Sequence, residues 1–181
     1  MGQDKASLIF GGETMLEHAV RVMHEVADEV IVVARGEQPM PTGVRVIHDP
    51  IEDLGPLAGI VAGLSASATD LNFIIACDMP LIRADVLARL AQLRGNADIC
   101  VAVADGHASP LCAVYRKHVG RVGQALLDAG ERRVMALLDR VLTKRVDAAA
   151  FRDIDPNLDS FISCDTPEAF SAALKCRPSG T

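Results

Sequence analysis

Phe73-Ile74-Ile75-Ala76-Cys77-Asp78-Met79-Pro80 runs an apolar segment straight into an acidic residue, and Pro80 keeps the strand from continuing. An uninterrupted apolar run of this length predicts a strand covered on both faces. The pattern repeats outward from it. Upstream, residues 57–68 read as a helix rich in small residues, 44–47 as a strand, and Val30-Ile31-Val32-Val33-Ala34 as another buried strand. Before these, Met15, Leu16, Ala19, Val20, Met23, Val26 and Ala27 fall on one face of a helix over 13–28. Downstream come a helix at 85–93, strands at 98–104 and 111–115, helices at 119–129 and 133–140, and a strand at 144–146. A last helix is expected from Thr166-Pro167-Glu168, where Thr caps, Pro fits the first turn and Glu suits the positive helix end. Alternation of this kind needs crossover connections, so the expected class is α/β: a mainly parallel sheet with helices on both faces. No repeat or composition break divides the chain. One domain is expected over 1–176, with a flexible tail at 177–181.

Composition narrows the partners. Asp and Glu exceed Lys and Arg, 24 against 18, for a formal net charge of -6, which argues against broad binding to nucleic acid or an anionic membrane. One Tyr, no Trp and five Phe leave few rings to stack on bases. The five cysteines are odd in number and form no C-x-x-C pair, so they read as reduced core thiols, and no histidine spacing suggests zinc. No apolar run approaches a membrane span, and no secretory signal stands at Met1, so a cytoplasmic location is expected.

Open α/β sheets bind ligands beyond the carboxyl ends of their strands. Asp78 stands at such an end, as a carboxylate for a magnesium ion that bridges to phosphates or as the cap of the next helix. Asp49, in Val46-Ile47-His48-Asp49-Pro50, is a nucleotide contact or plain turn chemistry. Gly55-Pro56-Leu57-Ala58-Gly59-Ile60-Val61-Ala62-Gly63 offers free N–H groups to a phosphate at a helix start, or else close helix packing at Gly59 and Gly63. Lys5 is a phosphate donor or a surface lysine. Arg132 and Arg133 are a cationic pair for an anionic substrate or solvated residues at a helix start.

Taken in order, these segments resemble the molybdenum cofactor guanylyltransferase family. Met1-Gly2-Gln3-Asp4-Lys5 is similar to the end of that family's opening L-A-G-G-x-S-x-R-M-G-x-D-K. Ile47-His48-Asp49 resembles its V-x-D, residues 55–59 its G-P-L-A-G, Cys77-Asp78-Met79-Pro80 its C-D-x-P, and residues 129–134 its A-G-x-R-R-V. The G-P-L-A-G element favours the guanylyl branch over cytidylyl relatives.

The resemblance implies a single-domain Rossmann-like nucleotidyltransferase fold. It implies transfer of GMP from GTP to molybdopterin cofactor with release of pyrophosphate, Mg2+ as cofactor, and transient contact with molybdoenzymes or their chaperones. Lys5, Asp49 and Asp78 would bind GTP, and Asp78 would also hold the metal and be catalytic. The alternatives are a noncatalytic binding relative and a nucleotidyltransferase that uses CTP or a sugar phosphate. The chain departs from the family pattern at three places. The glycine-rich strand and loop that open the family signature would lie ahead of Met1. Val33 stands where some relatives carry a polar nucleotide contact. Ser163 and Asp165 replace both asparagines of F-x-N-x-N-T-P.

Overall fold

The computed structural model describes residues 5–34, 36, 38–48 and 55–176. After a 3-10 turn at Lys5–Ser7, the elements are β1 (Ile9–Phe10), β2 (Glu13–Thr14), α1 (Met15–His24), β3 (Val30–Ala34), β4 (Val44–His48), α2 (Pro56–Ala66) and β5 (Leu71–Ile75). They continue as α3 (Ala84–Leu93), β6 (Ile99–Ala104), β7 (His107–Arg116), α4 (Val119–Asp128), α5 (Val134–Leu138), β8 (Thr143–Asp147) and α6 (Pro167–Cys176). The expected tail at 177–181 lies outside the described residues.

Helix ends follow their local chemistry. Thr14 Oγ1 accepts from Glu17 N at 3.1 Å while Glu17 Oε2 accepts from Thr14 N at 2.7 Å, a reciprocal capping box that starts α1. Thr166 Oγ1 accepts from Ala169 N at 3.1 Å and starts α6 where the Thr-Pro-Glu signal predicts it. Pro56 occupies the first turn of α2 behind Gly55, whose φ of 73° strongly favours glycine.

The α/β class and the helices on both faces stand, but the strand directions are mixed rather than mainly parallel. β3 pairs in parallel with β4. A separate four-stranded sheet has the order β5-β7-β6-β8, in which β6 and β8 are parallel and β7 runs antiparallel to both its neighbours. The reason is local: Asp105 and Gly106 join β6 to β7 with φ values of 50° and 76°. Two successive positive φ angles make a two-residue hairpin of the primed kind, which forces antiparallel pairing.

Along β6 and β7, alternate side chains feed two cores. Ile99, Val101, Ala113 and Tyr115 pack with α2, α4 and α5 through Leu57, Val61, Val119 and Leu137. Cys100, Ala102, Cys112 and Val114 pack on the opposite face with Val86, Leu87 and Leu90 of α3 and with Phe151. A two-residue period with apolar residues in both phases produces this three-layer arrangement. The described cysteines are free thiols, and Cys100, Cys112 and Cys164 are buried. Burial pushes the Cys112 thiol up to about 12, so it stays protonated. Among the described residues, no helix is long and apolar enough to cross a membrane.

Candidate active site

Asp78 lies just past β5, whose pairing with β7 is extended by Ala76 N donating to Leu111 O at 2.9 Å. Its backbone carbonyl accepts from Cys164 N at 2.8 Å, so the loop before α6 is bound directly to the strand end. The Asp78 side chain is 18% exposed and its Oδ2 lies 3.1 Å from Lys5 Nζ. The same ammonium lies 2.7 Å from Asp165 Oδ1, and Asp165 Oδ2 accepts from Ser163 Oγ at 3.0 Å. Residues 73 and 160 positions apart from Lys5 thus meet on one nitrogen.

Among the described residues, this cluster sets one cation against two carboxylates. The hydrogen bond to Asp165 is the largest influence on Lys5 and holds its pKa above the ordinary value, against an opposing effect of burial. Lys5 in turn, followed by Ser163, holds the Asp165 carboxyl below the usual carboxylate range. The Cys164 thiol is pushed up by burial first and by the nearby Asp78 and Asp165 charges second, so it is a poor nucleophile. Among the described residues, no group of three or more His, Cys, Asp or Glu side chains forms a metal cage. Two carboxylates suit magnesium, which fills its shell with waters and phosphate oxygens. Hard oxygens already gather around a cation here, and Asp165, 68% exposed, leaves the cluster open to solvent.

The structure therefore brings together Lys5 and Asp78 of the residues singled out from sequence. Asp49 lies outside the described residues, as do Met1, Gly2, Gln3 and Asp4 of the opening match. In the sequence Asp165 stands out only as a departure from an asparagine, with no signal of a role.

The glycine-rich segment resolves into two cases. A Cβ on Gly63 would meet Val33 Cγ2 at 3.5 Å, an ordinary packing contact, whereas a Cβ on Gly59 would have no described atom within 4 Å. Close packing accounts for Gly63 and leaves Gly59 unexplained. The 129–134 segment meets this helix start, since a Cβ on Gly55 would lie 4.0 Å from Arg132 O. Arg132 Nη1 donates to Leu127 O at 2.9 Å near the end of α4, while Arg133 is 80% exposed and is held by Glu131. Both arginines are exposed but they are differently engaged: Arg132 caps the end of α4 and Arg133 pairs with Glu131.

A family model for the MobA-like NTP transferase domain matches residues 1–144. The chain belongs to the MobA-like NTP transferase family. As a member of this family it is a nucleotidyltransferase. A Bacillus cereus protein named as probable molybdenum cofactor guanylyltransferase is 32% identical over 181 residues, covering 96% of this chain and 89% of that protein. The crystal structure of molybdopterin-guanine dinucleotide biosynthesis protein A from Archaeoglobus fulgidus matches with a TM-score of 0.82 at 22% identity, over 97% of this chain and 91% of that one. A Mycobacterium tuberculosis protein, Rv0371C, crystallised in complex with manganese, matches with a TM-score of 0.70 at 15% identity, over 96% of this chain and 92% of that one. The two structural likenesses speak to the fold. Lys5 and Asp78 fall inside the span matched to the MobA-like family, and Asp165 lies beyond it.

Proposed function

We propose that this MobA-like protein transfers GMP from GTP to the terminal phosphate of molybdopterin cofactor, releasing pyrophosphate and leaving the guanine dinucleotide form. The observation that carries the reading is the meeting of Lys5 and Asp78, 3.1 Å apart, beyond the carboxyl end of β5. That is where an open α/β sheet receives its ligand, and the two residues are the cation and the carboxylate that a phosphate–magnesium complex needs. The likeness to named guanylyltransferases supports GTP and the molybdenum cofactor as the substrates.

In this scheme Lys5 donates to the GTP phosphates, Asp49 holds the nucleotide, and Asp78 binds magnesium. The ion, when bound, neutralises phosphate charge and makes the α-phosphorus a better electrophile. An oxygen of the acceptor's terminal phosphate forms the new bond to that phosphorus in line with the departing bridge oxygen, and pyrophosphate leaves with the electron pair. The protein supplies positioning and charge stabilisation rather than a nucleophile, consistent with Cys164 being held as a thiol. Work in the cytoplasm and transient handover to a molybdoenzyme or its chaperone complete the reading.

The test is pyrophosphate release with molybdopterin as acceptor and either GTP or CTP as donor. GTP-dependent release is expected, and Asp78→Asn is expected to lower it about 100-fold or more, the scale of losing a group that stabilises developing charge. Circular dichroism of the variant should match the parent. Near-normal turnover by Asp78→Asn would remove that residue from the mechanism. Nucleotide binding without pyrophosphate release would leave a noncatalytic relative.

A further inference from the structure

Lys5 does more than lie near Asp78. Its ammonium is shared between a carboxylate on the strand-end loop and one on the loop before α6, at 3.1 Å and 2.7 Å. Each component is held in place. Lys5 opens the 3-10 turn at Lys5–Ser7, whose Ala6 is buried and whose carbonyl at Lys5 accepts from Leu8 N at 3.2 Å. Asp165 is steered by Ser163, and the two loops are tied by the Cys164 N to Asp78 O bond at 2.8 Å. The shared cation therefore sits between two anchored carboxylates. A phosphate that recruits Lys5 must take it from both, and their oxygens are then left with no positive charge from it.

We propose that Lys5 is the resident counter-ion of the Asp78–Asp165 pair and exchanges there with a divalent cation, Asp165 acting as the residue that positions Lys5 in the closed state and shares the incoming ion in the open one. The inference rests on the reading of Asp78 as the metal ligand. In the free protein the ammonium closes the pair, so metal alone binds weakly. Arriving nucleotide phosphates draw Lys5 off and open the pair to the ion they carry. The metal and the lysine change places without leaving either carboxylate bare.

The experiment measures binding of Mn2+ alone by electron paramagnetic resonance, without nucleotide, for the parent chain and four variants whose melting curves confirm folding. Lys5→Met is expected to bind Mn2+ about tenfold more tightly than the parent, for removal of a competing unit charge at contact distance. Lys5→Arg keeps the charge and should stay near the parent. Adding Asp165→Asn to Lys5→Met should abolish most of the gain, and Asp78→Asn should abolish binding. A Lys5→Met protein that binds Mn2+ no better than the parent, or a gain that survives Asp165→Asn, overturns the exchange.

A second readout uses the unmutated chain. Acetylation of the Lys5 amine, followed by mass spectrometry, should speed up at Mn2+ concentrations that saturate the parent in the binding measurement, and an unchanged rate there also overturns the proposal. Asp78→Asn that binds Mn2+ like the parent sinks the metal assignment itself. Loss of binding in that variant together with no gain in Lys5→Met sinks only the exchange.

Discussion

Glu131 gathers the backbone N–H groups of Arg132 and Arg133, both at 2.9 Å, and the Arg133 guanidinium at 2.7 Å through Nη2. The Arg133 side chain is the first cause, and the two backbone donors the next, of a carboxyl held down at about 2 against an ordinary 4.5. A depressed carboxylate pKa stabilises the fold fully above the ordinary value, and that contribution is lost as pH falls through the folded value. Glu131→Gln should therefore melt below the parent at neutral pH. The difference in melting temperature should narrow between pH 4.5 and about 2, and a constant difference across that window would show that charge is not the cause. The sequence marked Arg132 and Arg133 as a pair, but it gave no sign that the glutamate beside them organises the turn. Local charge order does not reveal which backbone donors a bend will aim at a carboxylate.

Among the elements, the crossing of α2 and α4 shows how glycines of one composition class divide by location. A Cβ on Gly123 would lie 2.5 Å from Val61 Cγ2, and one on Gly120 would lie 3.1 Å from Leu64 Cβ. Val61 is β-branched and stiff at χ1, so it cannot turn away cheaply. Gly123→Ala gains about 1 kcal/mol of helix propensity, and this is outweighed by an overpacking cost of about 1–3 kcal/mol. The net expectation is a loss of up to about 2 kcal/mol, read from urea unfolding, with the midpoint shifted and the slope unchanged. Gly59→Ala meets no described atom within 4 Å and should instead stabilise by about 0.5–1 kcal/mol. If a phosphate approaches the start of α2, the same change should raise KM for GTP. A stabilised protein with unchanged KM would separate that helix start from the nucleotide. Small-residue content and the alternation of elements place α2 to within two residues, yet they treat Gly59 and Gly63 alike. Only the neighbours across the interface distinguish them.

At the scale of the whole molecule, the C-terminal segment acts as a strap over the strand-end loop. Asp155 is 3% exposed and accepts from Ser160 N at 2.9 Å and Asp159 N at 3.3 Å, while Ser160 Oγ donates to Leu81 O at 3.3 Å. Asp155→Ala would leave the buried Ser160 N–H and the part-buried Asp159 N–H unpaired and should cost about 1–3 kcal/mol in urea unfolding, whereas Asp155→Asn, which keeps an acceptor, should cost less. Equal losses would mean that the acceptor oxygens do not hold the strap. The sequence by itself determined most of the elements, because hydrophobic period and caps act over a few residues: β3 is found at its predicted ends, and α6 starts on its Thr-Pro signal. It also determined the family, through motifs that stay together along the chain. The direction of β7 is legible too, in Asp105-Gly106, although the alternation of strands and helices around that turn points to parallel pairing. Along the sequence Lys5 reads as a phosphate donor or a surface lysine and Asp78 as a metal ligand or a helix cap, each independently of the other. Their sharing of one site with Asp165 was decided only by the tertiary structure, because side chains 73 and 160 positions apart carry no local trace of their partners until the strap and the strand end are hydrogen-bonded together.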